Sequence, residues 1–165
     1  MTLMQTPARG ASQYLESVRR SYATLVHVAR TLEAARSHEG EGAYLRRLGA
    51  TVAAFVDQIV WADRQIVLGE YQALDALARE DSQHGGILSA SLRELRGESE
   101  DLRPLPEFLK VCLEYDRPNG TRLTGAAINA LESLGLALMA SDREIAEEEM
   151  TLLYEIIGAW REATA

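Results

Sequence analysis

The stretch Ala62-Asp63-Arg64-Gln65-Ile66-Val67-Leu68-Gly69-Glu70 returns later in the chain as Ser141-Asp142-Arg143-Glu144-Ile145-Ala146-Glu147-Glu148-Glu149. Asp63 and Asp142, Ile66 and Ile145, and Glu70 and Glu149 each stand 79 residues apart, and Leu74 and Leu77 continue the match as Leu153 and Ile156. A fixed internal period is a signature of a repeated supersecondary unit. Each copy reads as an apolar helix, an aspartate at its C-terminal end, a short turn holding one isoleucine, and an acidic helix start. The isoleucine must bury itself, or the two helices lose register. Glutamates in a first helical turn are favoured by the positive end of the helix dipole, and an aspartate there can brace the turn by accepting backbone N–H groups. The two copies, centred on 51–80 and 127–160, predict two related helical hairpins packed on each other.

Outward from the repeat, apolar residues keep stepping by three and four. The first predicted helix covers about 12–36, with Leu15, Val18, Tyr22, Leu25, Ala29 and Leu32 in a heptad-like stripe. A glycine- and charge-rich break at 37–42 precedes a helix over 44–62 whose apolar positions occupy much of its circumference, which predicts a central place. Further helices are expected over 69–79, over 87–95 after Gly85-Gly86, up to Tyr115 after Pro104 and Pro106, up to Ser141, and over 146–163. Pro118-Asn119-Gly120 reads as a turn, with Thr121 or Thr124 as the following N-cap. Ala126, Ala127, Gly135 and Ala137 would let neighbours approach the sixth helix closely. No segment alternates as a strand does. The expected fold is all-α, a bundle of about seven helices in one domain spanning 1–165.

Composition narrows the function classes. At 47% hydrophobic and 25% charged the chain has the make-up of a globular domain able to bury a core. The net charge of −8 argues against nucleic acid, whose phosphates require clustered Lys and Arg, and favours basic protein surfaces or divalent cations. The longest apolar run, 134–140, is too short to span a bilayer. With no basic-then-apolar leader and a single cysteine, Cys112, in an apolar run, a cytoplasmic protein with a core thiol is expected. His27, His38 and His84 show no paired-ligand spacing, and no phosphate loop, nucleophile elbow or metalloprotease motif is present. Enzymatic chemistry is therefore not expected.

The repeated signature resembles that of the TerB-like family, the tellurite-resistance-associated helical domain that also occurs in co-chaperone and stress-response architectures. The family pattern runs Ala-Asp-Gly, then Ile or Val, then a turn into a Glu-Glu helix start, and the likeness covers about Thr51 to Trp160. It implies a seven-helix bundle, a bacterial cytoplasmic protein, and acids around the turns that bind a divalent cation, calcium first. Asp63, Glu70, Asp142 and Glu149 occupy the matching positions, and Glu148 adds a second acid in the second copy. This chain departs from the pattern at Arg64 and Arg143, which replace the signature glycine, and at Gly69, which replaces the first glutamate. Each arginine offers the neighbouring acid a salt bridge in competition with a cation. The expectation is a non-catalytic interaction module, responsive to a divalent cation. The alternative is a metal-independent scaffold that meets a partner, or a copy of itself, through Leu15, Val18, Tyr22 and Leu25.

Overall fold

The computed structural model describes residues 9–36, 40, 42–60, 68–95, 101–140 and 147–165, with backbone alone at 9–12, 68–71, 94 and 95. Regular structure among them is helical throughout, in seven segments: α1 (Arg9–Ala35), α2 (Ala43–Val60), α3 (Leu68–Gln83), α4 (Ile87–Leu95), α5 (Glu107–Asn119), α6 (Leu123–Ala140) and α7 (Glu147–Ala163).

The apolar spacing decides how they pack. α2 lies against α1, α4, α5, α6 and α7, and α6 against α1, α2, α3, α5 and α7, so these two form the centre. All seven helices contribute to one hydrophobic cluster. Burial follows the 79-residue repeat: Val52 and Leu131, Phe55 and Leu134, Ile59 and Leu138, Val60 and Met139, and Leu77 and Ile156 are matched pairs, and every member is buried. Close approach at the centre depends on Gly135, where a Cβ would stand 2.8 Å from Leu153 Cδ1 and 3.0 Å from Phe55 Cζ. α6 is long and apolar enough to cross a membrane by composition alone, yet 56% of it is buried inside the bundle, which is what a core helix requires.

The two repeat copies do not close in the same way. α6 and α7 pack on each other, whereas α3 rests on α1, α4 and α6. A polar tie explains part of this, since Tyr22 of α1 donates its hydroxyl proton to Asp81 of α3 at 2.6 Å. The stripe of α1 is turned into the bundle: Val18, Tyr22, Leu25, Ala29 and Leu32 are each at most 2% exposed, with Leu15 half-buried against the same core.

Two helices run further than their spacing suggests. α3 continues past Arg79 to Gln83, and α5 continues past Tyr115 to Asn119 with Pro118 inside its last turn. A proline ring removes one backbone donor. Here the turn is kept closed by Asn119 Nδ2 donating to Tyr115 O at 2.8 Å and by the Gly120 N–H donating to Asp116 O at 2.8 Å. Gly120 sits at φ 64°, the left-handed C-cap conformation that glycine adopts without a Cβ clash.

Candidate functional site

Asp63 and Asp142, with the isoleucines and arginines of the repeated turns, lie outside the described residues. Glu70 falls in the first turn of α3, as the repeat requires. Glu147, Glu148 and Glu149 form the first turn of α7. Neighbouring positions on a helix face about 100° apart, and the last two acids diverge accordingly: Glu148 is exposed, and Glu149 is 2% exposed within the bundle. Among the described residues no three His, Cys, Asp or Glu side chains converge on a point that could hold a metal ion.

The acids that the structure uses most fully are two others, Asp81 and Asp116. Asp81 ends α3 and is 0% exposed. Its Oδ1 accepts from Tyr22 Oη at 2.6 Å and from the Leu88 N–H at 2.9 Å, and its Oδ2 accepts from the N–H and hydroxyl of Ser89, each at 3.0 Å. Asp116 does the same work at the end of α5. Its Oδ1 accepts from Thr121 Oγ1 at 2.6 Å and the Leu123 N–H at 2.9 Å, and its Oδ2 accepts from the N–H and hydroxyl of Thr124 at 2.8 and 2.7 Å. Each carboxylate therefore caps the next helix from outside, satisfying first-turn donors that have no partner within that helix. Thr121 and Thr124 donate into this brace, and the capping oxygen comes from the preceding helix.

A pattern in the chain marks both braces. Asp-x-x-x-Gly-x-x-Leu-Ser/Thr occurs at 81–89 and again at 116–124, with every matched position 35 residues apart (81 and 116, 85 and 120, 88 and 123, 89 and 124). The glycines Gly85 and Gly120 both take positive φ, 99° and 64°. The 79-residue period hides this second one, because α6 belongs to both schemes.

The titration of these groups follows from their surroundings. Burial pushes the Asp116 carboxyl up, but hydrogen bonds from Thr121, Thr124 and Leu123 outweigh it and hold the group below the ordinary carboxylate range. A carboxyl depressed in the folded state contributes stability above its unfolded value and loses it as pH falls through the folded one. Urea midpoints of the wild type should therefore drop below about pH 4, and Asp116→Asn should flatten that drop. An unchanged acid limb in the variant would show that the brace carries no charge-dependent stability. Burial, followed by the hydrogen bond to the Asp81 carboxylate, pushes the Tyr22 phenol well above its usual range. Burial, with a smaller contribution from the Asp116 charge, raises the Cys112 thiol to about 12, so Cys112 is a core residue with little thiolate character.

Two surface features complete the description. An open groove of about 550 Å³ between α2 and α5 is lined by Thr51, Ala54, Leu102 and Leu105 together with Asp101, Glu107 and Lys110, the chain's sole lysine. At the α3–α4 turn, His84 Nε2 lies 3.2 Å from Glu80 Oε1 and Nδ1 lies 3.4 Å from Arg30 Nη2 of α1.

No family model, curated protein or solved structure matches this chain. The functional reading consequently rests on the residues themselves.

Proposed function

We propose that this chain is a non-catalytic interaction module of the TerB-like kind, tuned by a divalent cation at the repeated acidic turns. The observation that supports it is the agreement between the 79-residue sequence period and burial. Paired positions of α2 and α6, and the pair Leu77 and Ile156 of α3 and α7, are buried alike, which supports reading the repeat as a structural one. Glu70 and Glu148–Glu149, with Asp63 and Asp142, are the proposed oxygen donors, and calcium is the favoured cation because the TerB-like resemblance implies it. The partner proposed is a cytoplasmic bacterial protein with a basic face, given the net charge of −8. The buried titratable groups support a non-catalytic role, since Asp81, Asp116 and Tyr22 have their hydrogen bonds directed at packing helices.

The scaffold alternative places the partner on Leu15, Val18, Tyr22 and Leu25. Those side chains face the bundle's own core, so this route requires α1 to leave it.

Thermal unfolding in EDTA and then in calcium, magnesium or manganese distinguishes the two. A cation at about 100 times its dissociation constant should add about 2.7 kcal/mol. For a domain of this size that is a rise of about 5–10 °C in Tm, and Asp63→Asn with Asp142→Asn should abolish it. Equal Tm values in EDTA and in every cation would sink the cation-responsive reading.

A further inference from the structure

We infer that His84 is a pH-sensitive fastener between α1 and the α3–α4 turn, holding Arg30 only while its ring is neutral. The inference does not rest on the TerB-like reading. A guanidinium group has five donors and no acceptor. The ring nitrogen facing Arg30 Nη2 at 3.4 Å, Nδ1, must therefore be the bare, accepting one. The ring proton then sits on Nε2, which donates to Glu80 Oε1 at 3.2 Å. A neutral Nε2–H ring satisfies both neighbours at once. A protonated ring cannot, because both its nitrogens donate, and an N–H would then point at the Arg30 N–H with like charge behind it.

The surroundings leave protonation one direction in which to act. His84 and Glu80 have side chains 19% and 16% exposed, so the pair is mostly out of water. From α1 the ring also meets Tyr22, with centroids 6.2 Å apart. Asp81 on the same helix is committed to Tyr22, Leu88 and Ser89. On α4, Ser89 is also committed to Asp81. The charged residue of α6, Glu132, is held by Arg161. Charging the ring strengthens its bond to Glu80 and severs its bond to Arg30, so the turn stays with α3 and loses one polar contact to α1. The fastener is therefore set by the charge on the ring.

The test is residue-resolved NMR on the full chain. At about pH 8 the His84 ring should show the Nε2–H tautomer in multiple-bond 15N–1H spectra. Lowering the pH to about 5 should reduce amide protection over residues 30–36, after correction for intrinsic exchange. The loss of one exposed hydrogen bond should lower it about twofold. In His84→Gln the amide oxygen accepts from Arg30 and the amide nitrogen donates to Glu80 at any pH, so protection should stay constant across the range. His27→Gln, which alters the exposed histidine on α1, should retain the wild-type response. An Nδ1–H tautomer at high pH, a wild-type protein without the pH response, or a response that survives His84→Gln overturns the inference.

Discussion

Asp81→Ala is expected to destabilise the bundle by about 3–5 kcal/mol, read as a fall in the urea midpoint at neutral pH with little change in slope. The carboxylate is fully buried and accepts four hydrogen bonds from three residues. Hydrogen bonds to a charged group contribute more than neutral ones, and the larger part of the loss comes from what is left behind. The Tyr22 hydroxyl and the Leu88 N–H would remain in an apolar interior with no acceptor. Removing Tyr22's side of the contact separates the terms: Tyr22→Phe should cost about 1–2 kcal/mol, and the double variant should cost less than the sum because the two side chains share one bond. An Asp81→Ala protein within about 1 kcal/mol of wild type would mean that the α3–α4 corner is held by packing alone.

Trp160→Ala should be comparably severe, at about 3–5 kcal/mol. The ring is 0% exposed, stands 5.9 Å from Phe55 between centroids, and donates Nε1–H to Leu102 O at 2.7 Å. That bond ties the segment before α5 to α7, and the exposed pair Arg103–Glu155 at 3.2 Å joins the same two segments. Exposed ion pairs contribute little, so the tie depends on the indole. Trp160→Phe keeps most of the volume and loses the donor, leaving Leu102 O unsatisfied, and should cost about 1–3 kcal/mol. If Trp160→Phe matched Trp160→Ala, the hydrogen bond and not the packed volume would dominate.

Much of the architecture was legible because local periodicity carries it. The three-four spacing of Leu15, Val18, Tyr22 and Leu25 commits that segment to a helix, whatever lies opposite. The break at Gly85-Gly86 and the proline pair at 104 and 106 bound their helices for reasons internal to a few residues. Gly135 also spoke through its own chemistry, since only a missing side chain admits Phe55 and Leu153 so closely. Helix ends were less legible. Pro118 reads as a stop, yet α5 carries through it because Asn119 and Gly120 close the turn behind it.

The candidate site was legible only in part. Periodicity singled out the acids that begin helices, Glu70 and Glu149, and a first-turn glutamate looks the same whether it faces solvent like Glu148 or the core like Glu149. Asp81 and Asp116 gave no local sign, since each caps a helix seven and eight residues further on, across a turn. The 35-residue recurrence of Asp, Gly, Leu and Ser/Thr held that information in a form too short and degenerate to outweigh the longer repeat.

By itself, then, the sequence determined an all-helical chain with a two-copy core, because helix formation and amphipathic burial are settled within a few turns of chain. Tertiary structure alone decided which helix receives each face. It turned the stripe of α1 inward onto α6 and α3, drew α3 toward Tyr22, and set His84 between Arg30 and Glu80. Those outcomes depend on residues more than fifty positions apart arriving within hydrogen-bond distance, and no local pattern encodes where a distant partner will stand.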